Sequence, residues 1–386
     1  MRLRRMGMNK IKSFFSSFFK KDETKTVVTS LWCALLGLVL GFVILLCINT
    51  KEAADGMATI LGNFFVFQNA DDRWNYFGQT LAKTAPLIAM SVSVLVCYKA
   101  GLFNLGASGQ YSIAVLVITF MGVAANWPWW LVMIGAMVAG ALWSMISGVL
   151  KAFFNVNEVI SGIMLNWIAL YLVNGILTAN SAIWDSSHSE AYKITDGSNA
   201  LIPSVGLDRL FAGNSIVGLG MILILVVTIV IFVLFKKTTI GYELKATGFN
   251  PDAADYAGMN KVKNILVATA ISGALAGLAA SLQVQNGFTS WRLSSTIPSI
   301  GFQGISAAFL GGLHPIGVLF SSYFIEHISE GGSMITDLGF APEVAGIITS
   351  AIIYLAGFVA FLKEMIRKSE VKDELRRLSR DKAVKK

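Results

Sequence analysis

The stretch VVTSLWCALLGLVLGFVILLCI, Val27 to Ile48, carries no charge over 22 residues. About 20 apolar residues in a helix cover the roughly 30 Å of a bilayer's hydrocarbon core, so this stretch is long enough to span it. It exceeds the apolar core of a secretory leader and no clear small-residue cleavage site follows it, so it reads as a retained first span. Just before it, Phe14, Phe15, Phe18 and Phe19 recur at helical spacing among Lys10, Lys12, Lys20 and Lys21, which predicts a short amphipathic helix on the inner leaflet.

Further apolar segments run from Thr80 to Tyr98, Tyr111 to Ala125, Trp129 to Val149, Val159 to Asn180, Ile216 to Phe235, Asn264 to Gln283, Ser299 to Leu313, Pro315 to Glu330 and Pro342 to Leu362. The fold class is therefore an all-α polytopic membrane protein with about ten transmembrane helices. Those starting at Tyr111, Ser299 and Pro315 fall short of a full crossing, so they belong to longer tilted helices or to half-buried ones packed against protein. The chain divides into a basic segment 1–26, a membrane domain 27–362 and a charged tail 363–386.

Composition agrees. Charged residues make up 14% of the 386, against roughly 25% in a soluble domain. Cys33, Cys47 and Cys97 sit in apolar runs and suit small-hydrophobe packing, while His188, His314 and His327 have no metal-ligand spacing. The net charge of +8 is concentrated at the ends, which excludes a nucleic-acid surface. With ten spans, 25 Lys/Arg fall on one side and six on the other, so the positive-inside rule puts both termini in the cytoplasm of a cell-membrane protein. Residues 49–79 and 181–215 then lie outside.

The cytoplasmic loop 236–263 has its own local code. Asn250 is a good N-cap, Pro251 suits the first helical position, Asp252 complements the helix dipole and Gly258 can end the helix. A helix of about two turns follows, and these signals alone suit a plain connector as well as a docking element.

The stretch Gly241 to Met259 resembles the coupling-helix region of ABC importer permeases of the branched-chain amino acid, simple sugar and nucleoside superfamily. Gly101-Leu-Phe-Asn104-Leu-Gly-Ala-Ser108-Gly-Gln110 is similar to the GLFNIGAEGQ-type segment of the nucleoside (basic membrane protein-associated) permeases, where ribose-type permeases read more like GGIDLSVG. Ser108 departs from that pattern, standing where an acidic residue is common. Val156 to Asn166, Ser272 to Ala279 and Gly301 to Gly312 also resemble that group, in the same order. The resemblance implies docking to an ATPase subunit through Gly241, Thr247, Gly248, Asn250, Pro251, Asp252, Ala253, Ala254, Asp255 and Gly258. It also implies a second related permease, a substrate-binding lipoprotein and a nucleoside as solute. The chain has no GxxxxGK[ST] phosphate loop, so it cannot supply the nucleotide chemistry itself; the resemblance implies a transport subunit rather than an enzyme, with ATP and Mg bound by the partner ATPase.

An internal echo accompanies this. Glu158-Val159 with Gly162-Ile163 is matched by Glu343-Val344 with Gly346-Ile347, and the glycine-rich turn at 101–109 corresponds to the segment ending at 301–304. Two halves of opposite topology, with discontinuous helices between them, would give this pattern. Polar groups at membrane depth are costly and so are candidates for a lined pathway: Asn104, Ser108, Gln110, Asn166, Gln283, Gln285, Asn286 and Gln303. The same groups also suit helix caps and interhelical bonds. Phe288 and Trp291 are rings able to stack on a base, but Trp291 suits a lipid-interface anchor better. A neutral, hydrogen-bonding solute fits this set, a nucleoside first and a simple sugar second. A different class, a proton-coupled carrier, would rest on Glu326 and His327.

Overall fold

The computed structural model describes residues 22–195, 197–341, 343–356 and 358. The expected interfacial helix at Phe14 to Phe19, the end of the tenth span and the tail 363–386 lie outside the described residues. Fourteen α-helices follow one another among the described residues, with a two-stranded hairpin as the one sheet. The amino-terminal helices are α1 (Asp22–Ile48), α2 (Ala53–Gly62), α3 (Ala70–Lys99), α4 (Ala107–Ile118), α5 (Trp129–Phe154) and α6 (Glu158–Thr178). After the hairpin of β1 (Trp184–Asp185) and β2 (Glu190–Ala191) come α7 (Leu207–Leu210), α8 (Leu219–Lys237), α9 (Thr239–Phe249), α10 (Pro251–Tyr256) and α11 (Lys261–Val284). The carboxy-terminal helices are α12 (Ile300–Leu310), α13 (Pro315–Ser333) and α14 (Glu343–Ala356).

Among the described residues, six helices are long and apolar enough to cross a membrane: α3, α4 with the turn that continues it, α5, α6, α8 and α11. They are not alike. The apolar stretch of α3 is 89% buried within the protein and that of α8 only 28%, so α3 is a central post and α8 a peripheral helix. The short segment at Tyr111 belongs to a longer unit, because α4 begins at Ala107 and continues through a π-helical turn over Thr119–Ala124. By contrast α12 has 11 residues, about 16 Å of helix, and cannot cross by itself.

Two boundaries differ from the hydropathy reading. Helix α3 begins ten residues before Thr80: Asn69 caps it by accepting from the Asp71 amide at 3.2 Å, and Asp71 and Asp72 face the positive end of the dipole. This polar first turn hides the helix from an apolar window. Within 49–79 lies a further short helix, α2, whose Ala53 and Ile60 join Leu45 of α1 and Ile328 of α13 in a second core.

Helix α11 lies against both α3 and α5 at the centre. On α5 and α11, Gly140, Gly273 and Gly277 let the backbones touch: a Cβ on Gly277 would meet Ala136 C at 2.7 Å and Met137 Cα at 2.8 Å. Lipid-immersed helices gain little from the hydrophobic effect between themselves, so close van der Waals packing through small residues supplies the association.

At the tip of the β1–β2 hairpin, Asp185 Oδ2 lies 2.6 Å from His188 Nδ1, and Asp185 Oδ1 accepts from the Ser187 amide at 2.8 Å. The shared hydrogen bond raises the pKa of His188 and lowers that of Asp185. A raised imidazole pKa contributes in full below the unfolded value near 6.5 and is lost as pH rises through the folded value. A lowered carboxylate pKa contributes above its unfolded value near 3.9 and is lost on acidification. The turn is therefore tightest between about pH 4 and about pH 6.5. Hydrogen exchange at the Ser187 amide, corrected for its intrinsic rate, is expected to be faster at about pH 8.5 than at about pH 6; equal protection at both would contradict the pairing.

Candidate functional site: a polar cavity and a distant capped hairpin

The buried amides fall into two populations. Asn104 donates to Gln110 Oε1 at 3.0 Å and to Ser272 Oγ at 2.8 Å, and Gln110 donates back to Asn104 Oδ1 and on to Ser144 Oγ, each at 3.0 Å. Ser93 and Ser272 complete the set by donating to each other's backbone carbonyls at 2.7 and 2.9 Å. This network ties α3, the 100–106 turn, α4, α5 and α11 together. Asn166 accepts from the Gly109 amide at 2.7 Å and donates to Leu105 O at 2.8 Å, which fixes α6 to the same turn. Ser108 donates to Pro298 O at 2.9 Å. Gln285 accepts from Ser281 and donates to Trp129 O and Ala200 O at 3.0 and 2.9 Å. These are satisfied groups, and losing one partner would strand another at about 1–3 kcal/mol.

Gln283, Phe288 and Gln303 lie elsewhere, around a cavity of about 320 Å³ between α3, α11, α12 and α13. The wall also carries Lys83 and Glu326. Here the polar groups are not used up. Tyr111 donates to Gln283 Oε1 at 3.1 Å, but the Gln283 amide nitrogen, the Gln303 amide and the Glu326 carboxylate make no hydrogen bond among the described residues. Lys83 is committed: its Nζ lies 2.7 Å from Glu330 Oε1, and Gln79 donates to Glu330 Oε2 at 3.1 Å. Asn286 is half-buried beside Gly220 of α8 and does not line this cavity. Trp291 is 6% exposed and donates to Asn174 Oδ1 at 2.8 Å, so it is an internal strut rather than a lipid anchor.

Glu326 and His327 do not act as a pair. His327 Nε2 contacts Leu61 O at 2.9 Å, an acceptor only, so that nitrogen carries the proton and Nδ1 accepts from Asn63 Nδ2 at 3.2 Å. Both ring nitrogens are engaged outside the cavity. The Lys83–Glu330 pair had no counterpart in the sequence reading, because partners 247 residues apart leave no spacing signal.

The hairpin of α9 and α10 lies at the far end of the same helices. Asn250 Oδ1 accepts from the Asp252 and Ala253 amides at 3.1 and 3.0 Å, Pro251 occupies the first turn, and Gly258 at φ +84° closes the helix. The expected short helix is thus α10. Ahead of it, α9 is a separate helix capped by Thr238, whose hydroxyl accepts from the Gly241 amide at 3.1 Å. Gly241 packs on the Leu234 carbonyl, and a Cβ on Gly248 would lie 2.7 Å from Gly101 N. Asn264 donates to Thr247 Oγ1 at 2.9 Å. The hairpin is therefore bolted to the ends of α3 and α11. Asp252, Ala253 and Asp255 are exposed while Ala254 is buried, and Phe249 and Tyr256 flank the helix at 92% and 98% exposure. From Lys99 to Lys83 on α3 is 16 residues, and from Lys261 to Gln283 on α11 is 22, so about 24–33 Å of helix separates hairpin from cavity.

A central helical post, a polar cavity near one end of the bundle and a capped hairpin at the other define a polytopic membrane permease. Residues 76–357 match the family of branched-chain amino acid transport system / permease components, and the chain belongs to it. The nucleoside ABC transporter permease protein NupB of Lactococcus lactis subsp. cremoris is 31% identical over 90% of this chain and 95% of its own length. The guanosine ABC transporter permease protein NupP of Bacillus subtilis is 32% identical over 80% of this chain and 90% of its own. The glucose ABC transporter permease protein TsgB13 of Haloferax volcanii is 29% identical over 67% and 70%.

Proposed function

We propose that this chain is the transmembrane permease subunit of an ATP-binding cassette importer for nucleosides. The observation that carries the transport path is the contrast in hydrogen bonding: Gln283, Gln303 and Glu326 hold unused polar groups in a cavity large enough for a small solute, whereas Asn104, Gln110, Asn166 and Gln285 are spent on the scaffold. The names of the two relatives similar over most of their length support nucleosides over sugars.

The chain works with an ATPase subunit that binds ATP and Mg, a substrate-binding lipoprotein and a second permease. A further guanosine permease protein of Bacillus subtilis, NupQ, is 29% identical to this chain, which supports the paired permease. Both termini lie in the cytoplasm, as the Lys/Arg bias favours. The cavity then faces the outer half of the membrane and α9–α10 the cytoplasm. ATP binding closes the ATPase, α10 transmits the movement, and α3 and α11 carry it to the cavity. Ten spans built as an inverted repeat fit this scheme. Ser93 of α3 and Ser272 of α11 exchange equivalent bonds, and the first turns of α4 and α12 meet where a Cβ on Gly301 would lie 2.8 Å from Ser108 N.

The test is uptake by the four-component complex in proteoliposomes. ATP-dependent accumulation of radiolabelled nucleoside, with no accumulation of ribose or glucose, is the expected result. Accumulation of a sugar alone would overturn the nucleoside reading.

A further inference from the structure

A second cavity, of about 470 Å³, lies behind the wall that α3 and α13 present to the polar one. On α3, Lys83, Pro86 and Leu87 face the polar cavity, whereas Thr84, Ala85 and Ile88 face this one. Its third side is α8, through Met221 and Leu225. Apart from Thr84 and Tyr323 the lining is apolar, and the Thr84 hydroxyl is spent on Thr80 O at 2.7 Å. A buried water needs about two to four polar partners, so this crevice suits hydrocarbon and not water. Phe320 and Leu225, which line it, are 73% and 47% exposed, so it opens sideways, where a membrane protein meets lipid.

Length and width identify the occupant. From Phe77 to Ile88 is 11 residues of α3, about 16 Å, close to half of the roughly 30 Å hydrocarbon core. Phe77 and Met221 lie towards the ends of α3 and α8 that are farther from the α9–α10 hairpin, so the crevice runs from that surface to near the midplane, the depth of one leaflet. Spread over that length, about 470 Å³ gives a cross-section of roughly 30 Å², far below the roughly 80 Å² of a helix about 10 Å across. A single hydrocarbon chain fits, and a helix of a partner subunit does not. At the mouth, the Trp74 ring centre lies 5.8 Å from that of Phe77 and 6.1 Å from that of Phe211, an aromatic cluster of the kind that marks the headgroup level. Arg209, two residues before Phe211, is exposed and makes no ion pair or hydrogen bond among the described residues, so its guanidinium is available to a phosphate. We propose that this crevice is a binding site for one acyl chain of a membrane phospholipid from the leaflet opposite the hairpin, with the phosphate at Arg209. The seated chain fills the space between α8 and the α3–α13 wall and so braces the back of the polar cavity. The proposal does not depend on which solute the permease carries.

The experiment reconstitutes the full-length chain, with the subunits that co-purify with it, in vesicles of phosphatidylcholine and phosphatidylglycerol. A small fraction of the phospholipid carries a diazirine midway along one acyl chain, and after photolysis the labelled residues are mapped by mass spectrometry. Labelling of Leu81, Ala85 and Leu225 is expected to saturate as the probe fraction rises. At low probe fraction it should exceed by about tenfold the labelling of Ile168 and Tyr171, on the exposed face of α6, which should rise linearly. Leu225→Trp puts an indole into the crevice from a half-exposed position and should cut the labelling of Leu81 and Ala85 about fivefold, leaving α6 unchanged. A fatty-acid methyl ester with the same diazirine but no phosphate should label the crevice more weakly than the phospholipid. Linear labelling of equal strength on both faces would show boundary lipid only and overturn the proposal, whether or not the variant folds. Unchanged labelling in a folded Leu225→Trp protein would overturn it too, as would crevice residues cross-linked to a second polypeptide. Equal labelling by the methyl ester would overturn the assignment to a phospholipid.

Discussion

Asp252→Arg combined with Ala253→Trp is expected to abolish nucleoside uptake and co-purification with the ATPase while leaving the permease folded in the membrane. Both side chains are exposed on α10, and the exposed Asp252–Lys261 pair at 3.7 Å that the first change removes is worth little, whereas Ala254 is buried and its replacement would unseat the helix. The caps remain, because Asn250 still accepts from two amide groups and Gly258 still supplies the left-handed turn. On the proposed coupling role, what changes is the surface offered to the ATPase: a bulky ring and a reversed charge replace a small, acidic turn. The flanking aromatics should show a graded effect. Phe249→Ala and Tyr256→Ala remove two nearly fully exposed rings, the residue type that dominates interface energies, and each is expected to weaken ATPase binding by about 2–4 kcal/mol, thirtyfold or more. Pull-down of the ATPase and ATP turnover in proteoliposomes check both; normal uptake by the double variant would remove the coupling role from α10.

Gly273→Leu is expected to leave no folded permease at all. A Cβ at this position would lie 2.5 Å from Ser144 Cβ and 2.8 Å from Ala141 Cα, with the Gly140 carbonyl closer still. Backbone atoms cannot rotate aside as a flexible side chain can, so α5 and α11 must separate. Overpacking a core costs about 1–3 kcal/mol where neighbours can yield and more where they cannot, against a total stability of about 5–15 kcal/mol. Separation would also pull Ser272 and Ser144 out of the Asn104–Gln110 network. Gly175→Leu is the control, since nothing lies within 4 Å of a Cβ there. Size-exclusion profiles in detergent should show aggregate for the first and a single symmetric peak for the second. A monodisperse Gly273→Leu protein would show that the close α5–α11 contact is dispensable.

The readable features of this chain are those whose causes lie within a few residues. Asn250-Pro251-Asp252 and Gly258 announce α10 because capping is a contact between near neighbours. The apolar windows locate α5, α6, α8 and α11 to within a few residues for the same reason. Where the local signal is polar, as in the Asn69-capped start of α3, the window fails although the helix is continuous. The hairpin of α9 and α10 was partly hidden in a similar way, since Thr238 caps α9 but the stretch reads as loop to a hydropathy scan.

The candidate site is different in kind. Asn104 and Gln303 are both amides beside glycine-rich turns, and nothing adjacent in the chain distinguishes them. What separates them is whether distant partners consume their hydrogen bonds: Asn104 is met by Ser272, 168 residues on, and Gln303 by nothing in the described protein. Likewise only the pairing of Lys83 with Glu330 shows that Glu326, four residues earlier on the same helix, is the carboxyl left without a hydrogen-bond partner in the described protein. The sequence alone determined that this is a charge-poor bundle of membrane helices with a capped two-turn helix in the 236–263 loop, because burial of apolar residues and helix capping are set by composition and near neighbours. Which polar groups hold the bundle together and which face a cavity was decided by tertiary structure, because a hydrogen bond's worth depends on the partner that folding brings to it.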